Sequence, residues 1–134
     1  MRLGVVVGFN HCISLFDAYL IKENHIRSAG GIAKAVTKAK KLDSSKVVEV
    51  EVTNLDELNQ AIAARVGIVM LDNFSSADID TAVSVARGKV ALEVSGDIDS
   101  KSIVAMAKTS VNFISVVAII KHIKAIDLSL QVQL

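Results

Sequence analysis

The sequence has 134 residues, 51% hydrophobic and 22% charged, and 15 Lys and Arg against 14 Asp and Glu leave a formal net charge of +1. That balance excludes intrinsic disorder and supplies no strong basic field for a nucleic acid, and no apolar run approaches the roughly 18 residues of a membrane-spanning helix. One cysteine and a start, Met1-Arg2-Leu3-Gly4, without a signal-peptide pattern lead to the expectation of one domain over 1–134, cytoplasmic and off the membrane.

In chain order, 3–7 is a possible first strand and 18–22 reads as another. A helix is expected from about 28 to 42, with Ile32, Val36 and Ala39 inward and Lys34, Lys38 and Lys41 outward. Short Val- and Ile-rich runs follow at 47–52, 67–71, 89–94 and 112–118. They start roughly 20–23 residues apart, as buried parallel strands joined by helical crossovers do. Between them, Leu55, Leu58, Ala61 and Ile62 share a helical face, as do Ile79, Ala82, Val83 and Ala86, and then Ile103, Met106 and Ala107. Asn54 with Glu57 is a capping-box pattern, Ser75 with Asp78 is a weaker one, and Gly88 suits a helix C′ position.

Strands alternating with helices define an α/β fold with a parallel sheet of four to five consecutive βα units. A closed eight-unit barrel takes about 250 residues. The expected architecture is therefore a partial (half) TIM-type barrel or a flavodoxin-like open sheet. A half-barrel exposes an apolar concave face, so a homodimer or higher homo-oligomer is expected.

Ligands of parallel α/β sheets bind beyond the carboxyl ends of the strands, where Glu51, Asp72, Glu93 and Ser115 fall. The first three are 21 residues apart, which assigns them equivalent places in successive repeats and, together, a site for a metal, a cation or a cationic transition state. Acids kept at wet strand ends for solubility are the alternative. Lys22 ends a strand and would face an anion across the same mouth, or lie on the surface. Ser95-Gly96-Asp97 opens a helix, as an anion loop or a plain turn does. His11 and His122 lack metal-pair spacing, and Cys12 has no neighbouring base.

Several stretches carry a resemblance: Asn10-His11, Asp17-Ala18-Tyr19-Leu20-Ile21-Lys22-Glu23-Asn24-His25-Ile26, Val48-Glu49-Val50-Glu51, Asn54-Leu55-Asp56-Glu57-Leu58, Met70-Leu71-Asp72-Asn73-Phe74, Leu92-Glu93-Val94-Ser95-Gly96, Phe113-Ile114-Ser115-Val116 and Ala125-Ile126-Asp127-Leu128-Ser129. In this order they resemble the C-terminal barrel part of the quinolinate phosphoribosyltransferase family (nicotinate-nucleotide pyrophosphorylase, carboxylating). The resemblance implies an open barrel of βα units and a dimer or larger assembly. It also implies a reaction joining quinolinate to phosphoribosyl pyrophosphate, giving nicotinate mononucleotide, pyrophosphate and carbon dioxide in NAD biosynthesis. By resemblance, Glu51 and Asp72 are the catalytic residues and the ligands of Mg²⁺, and His11 and Lys22 hold substrate. Ser95, Gly96 and Ser115 receive the ribose phosphate.

The chain also departs from that pattern. The family's N-terminal domain, its arginine donated across the dimer and its Thr-Arg-Lys-Thr segment lie outside this sequence. Cys12 stands where the family has an arginine, Arg65-Val66-Gly67 replaces Gly-Ala-Asp, and Ser110-Val111-Asn112 replaces Gly-Val-Asp. Val117 takes the place of a phosphate-loop glycine and Ile120 that of a threonine. Two functional expectations follow. One is an engineered or decayed barrel fragment, catalytically silent and needing no cofactor. The other is residual or intact phosphoribosyl transfer to quinolinate, with Mg²⁺.

Overall fold

The β-branched runs form the centre of the fold. In a computed structural model, which describes residues 17–99, 101–121 and 128, five strands make one open sheet in the order β1-β2-β3-β4-β5, every neighbouring pair parallel. The strands are β1 (Ala18–Ile21), β2 (Val47–Val52), β3 (Ile68–Asp72), β4 (Ala91–Ser95) and β5 (Phe113–Ile114). The helices are α1 (Glu23–Ala29), α2 (Ile32–Leu42), α3 (Leu55–Ala63), α4 (Ser76–Ala86), α5 (Ile103–Met106) and α6 (Ala118–Lys121). Sequential order is that of consecutive βα units in a barrel. A flavodoxin-like sheet reverses its order near the middle, so that alternative is corrected. The possible strand at 3–7, His11, Cys12 and His122 lie outside the described residues.

Period-two alternation divides each strand between two environments. Val48, Val50, Val52, Val69, Leu71, Leu92 and Val94 point to the helices and pack with Ile32, Val36, Leu58, Ala61, Ile79 and Ala82 in one core. Val50, Val52, Leu58, Leu71 and Ile79 have no exposed surface. A buried aliphatic side chain of this size contributes about 1.5–3 kcal/mol, so this layer holds the sheet against its helices. The opposite face carries Glu49, Glu51, Met70, Asp72, Glu93 and Ser95.

Most strand bounds fall within a residue or two of the sequence-based expectation, and three elements differ by more. The helix expected from 28 to 42 begins only at Ile32, as α2, and a further helix that was not expected, α1, precedes it, the two separated by Gly30 and Gly31 at φ 79° and 123°. These conformations suit glycine, and both glycine N–H groups donate to the Ile26 carbonyl, closing α1. The run at 112–118 yields a strand of only two residues: one further bond, from Ser115 N–H to the Val94 carbonyl, follows it, and the chain then turns into α6. An apolar run does not by itself distinguish buried strand from buried helix. The third helical face is a single turn, α5.

Local signals elsewhere hold. Asn54 Oδ1 accepts the Glu57 N–H at 2.9 Å, while Glu57 Oε2 reaches back to the N–H of Thr53 at 2.8 Å, one residue before the N-cap. Ser75 Oγ accepts the Asp78 N–H at 3.2 Å. Gly88 follows the C-cap Arg87 at φ 71°. The tertiary structure adds a lock between α2 and α3: Lys40 Nζ donates to the Ala64 and Arg65 carbonyls at 3.2 and 2.9 Å.

Candidate functional site

The site grows from strand register. Glu51 pairs with Met70 and Met70 with Glu93, so the two glutamates share one level with a methionine between them. Asp72 pairs with Ser95, one level nearer the carboxyl end. The equal spacing in sequence is therefore corrected: the offset is 19 residues between β2 and β3 and 23 between β3 and β4. Unequal α3 and α4 crossovers sum to twice 21 and displace Asp72 outward.

Lys22 lies one residue beyond the Ile21–Val50 pair, beside Glu51. Its Nζ is 2.7 Å from Glu51 Oε2, with 52% of the lysine side chain exposed and 18% of the glutamate. The lysine is held from its main chain as well. Its N–H donates to His25 Nδ1 at 3.0 Å, and its carbonyl accepts the N–H groups of His25 and Ile26. The Asp72 carboxylate is half-buried, and among the described residues it has no hydrogen bond or ion pair. An ammonium, a carboxylate paired to it and a carboxylate left open thus meet at one end of the sheet.

The loop after β4 belongs to the same end. Asn73 N–H continues the ladder to the Ser95 carbonyl at 3.1 Å, and Gly96 turns the chain at φ 101°. Asn73, Phe74, Ser95, Gly96, Asp97 and Ser102 border a hollow of about 200 Å³. Ser115 lies just past β5, and its hydroxyl donates to Glu93 Oε1. Glu93 is 5% exposed, so it does not line the mouth as Asp72 does, which corrects the picture of three equivalent acids. Lys22, Glu51, Asp72, Ser95, Gly96 and Ser115 are gathered at one end of the sheet.

Two residues were missed. Glu49, 3% exposed, lies on the same face as Glu51 between Leu20 and Ile68, and the alternation Val47–Val52 already placed it there. Asn73, at φ 56°, follows the strand-end aspartate and packs on Gly96, a contact between repeats that spacing does not reveal. One departure from the family pattern keeps its chemistry: Asn112 Oδ1 accepts the Leu92 N–H at 2.8 Å while Asn112 N–H donates to the Leu92 carbonyl, so an acceptor is retained where the family has aspartate.

Among the described residues no group of three or more His, Cys, Asp or Glu is arranged to hold a metal. Mg²⁺ often takes one or two carboxylates and completes its shell with water and substrate phosphates, and the open Asp72 with the neighbouring Glu51 fits that donor set. No helix among the described residues is long and apolar enough to cross a membrane.

Sequential parallel strands with acids and a lysine at their carboxyl ends define an α/β domain of consecutive βα units with a polar strand-end mouth. The family described as Quinolinate phosphoribosyl transferase, C-terminal domain, matches residues 3–131, and the chain belongs to it. A probable nicotinate-nucleotide pyrophosphorylase [carboxylating] of Synechocystis sp. is 41% identical over 98% of this chain and 45% of its own length. A solved nicotinate-nucleotide pyrophosphorylase from Francisella tularensis superposes with a TM-score of 0.88 at 86% identity, covering 94% of this chain and 45% of that one. The enzyme of that name from Ehrlichia chaffeensis gives 0.72 at 34% identity, over 77% and 38%. The chain spans less than half the length of these relatives.

Proposed function

We propose that this chain carries the phosphoribosyl-handling side of a site that transfers a phosphoribosyl group to quinolinate. In that reaction the pyridine nitrogen bonds to the ribose anomeric carbon, pyrophosphate leaves, and the ring then loses carbon dioxide and gains a proton. The observation that supports it most is the Lys22–Glu51 pair at 2.7 Å beside the open Asp72. Carboxylates at this position stabilise positive charge developing on the ribose, and Lys22 balances the anionic ligand. Glu51 and Asp72 would hold Mg²⁺, which supplies charge neutralisation to the leaving pyrophosphate. Gly96 brings backbone close to a phosphate, with Ser95 and Ser115 at its sides. His11 belongs to the same proposal on resemblance alone, as do a homodimeric or larger assembly and a cytoplasmic setting.

A second reading, a catalytically silent scaffold of engineered or decayed origin, is favoured by one feature. Val117, 45% exposed at the start of α6, stands where the family has its phosphate-loop glycine. A charge-assisted hydrogen bond to the ligand is worth roughly 1.5–3 kcal/mol, so a loop that cannot approach the phosphate binds it far more weakly. A sensitive turnover assay with quinolinate, phosphoribosyl pyrophosphate and Mg²⁺ separates the two, with Glu51→Ala as the control for contaminating host enzyme. Product that Glu51→Ala abolishes supports transfer. Product no greater than that of the variant leaves the scaffold.

A further inference from the structure

Glu93 is one of only two buried charged side chains among the described residues, and burying a carboxylate is unfavourable unless hydrogen bonds compensate. Its compensation includes the hydroxyl of Ser115, just past the neighbouring strand β5. Register pairs Glu93 with Phe113, so Ser115 is the diagonal residue two positions further along the same face. Ser115 is held twice: its N–H by the Val94 carbonyl at 2.9 Å, its hydroxyl by Glu93. The strand it leaves is two residues long, and the turn into α6 begins at once. A side-chain tether at that point controls where the backbone after β5 lies.

We infer that Glu93 is a positioning residue, which acts through Ser115 to set the exit of β5 for recognition of a phosphate monoester. The inference rests on the phosphoribosyl reading above and assigns Glu93 a role different from that of Glu51, with which it shares a level. Glu93 touches no ligand in this scheme. It fixes Ser115, and with it the main chain after β5 that meets the phosphate.

The test uses the whole chain and two probes, ribose 5-phosphate and pyridine-2,3-dicarboxylate, by calorimetry or chemical-shift titration. Glu93→Met preserves volume and removes the acceptor, Ser115→Ala removes the donor without disturbing the core, and Glu93→Gln keeps an acceptor. Glu93→Met and Ser115→Ala are each expected to weaken ribose 5-phosphate about fivefold, the loss of one hydrogen bond. The double variant loses no more than either single one, Glu93→Gln stays near the parent, and pyridine-2,3-dicarboxylate affinity is unchanged. Additive losses, or equal losses for both probes, overturn the inference. If the parent chain binds neither probe, the phosphoribosyl reading fails, and amide exchange over residues 115–118 still decides the tether. Faster exchange shared by Glu93→Met and Ser115→Ala but absent in Glu93→Gln upholds the tether, and unchanged exchange overturns it.

Discussion

Gly96 and Asn73 occupy one another's space: a Cβ on Gly96 would lie 2.2 Å from Asn73 Oδ1 and 2.9 Å from its backbone nitrogen. Both residues take left-handed backbone, φ 101° and 56°, so the ends of β3 and β4 interlock through a glycine. Gly96→Ala imposes both a clash and an unfavourable φ. It is expected to cost about 1–3 kcal/mol, read as a lower urea midpoint, and to weaken ribose 5-phosphate binding. Asn73→Gly relieves the clash and recovers part of the loss in the double variant.

Arg65 stands where the resemblance places a glycine, and its φ is 56°. Left-handed backbone costs a non-glycine residue roughly 1–2 kcal/mol, offset in part by the stiffer unfolded chain. Arg65→Gly is therefore expected to stabilise the protein by up to about 1 kcal/mol, seen as a higher midpoint with an unchanged denaturant slope.

Lys40 donates to the last carbonyls around α3. Lys40→Met keeps the aliphatic stem and removes the donors, so a loss of about 1 kcal/mol is expected. Exposed ion pairs are worth less. The loss is expected to persist at high salt, because the acceptors are carbonyls and not carboxylates.

Asp99 accepts the N–H groups of Ser102 and Lys101 at 2.8 and 2.9 Å, and these bonds, that to Ser102 foremost, hold its carboxyl below the usual carboxylate range. A lowered folded-state value contributes stability above the unfolded value and loses it as pH falls through the folded one. Asp99→Ala is expected to melt below the parent at neutral pH, and the gap is expected to close on acidification below the ordinary aspartate range.

Val117→Gly restores the close backbone approach that the family's loop has. Ribose 5-phosphate affinity is expected to rise about tenfold, near 1.4 kcal/mol, with pyridine-2,3-dicarboxylate affinity unchanged. Calorimetry with both probes checks it.

Patterning along the chain was enough to define the α/β class, the parallel strands, the helix starts at Asn54 and Ser75, and the strand ends at which Glu51, Asp72 and Ser115 fall. These depend on period-two and helical alternation, on short-range hydrogen bonds and on motif identity, all written over a few adjacent residues. Three features emerged only with the folded chain. Glu51 and Glu93 share a level while Asp72 stands one step out, Glu93 is buried against Ser115, and Gly30-Gly31 divides the first helical stretch. Register depends on how far each crossover carries the chain before the next strand pairs. A repeat of 21 residues in sequence can be 19 and then 23 in the sheet, and helix packing against the strands, with no single local signal, sets that difference.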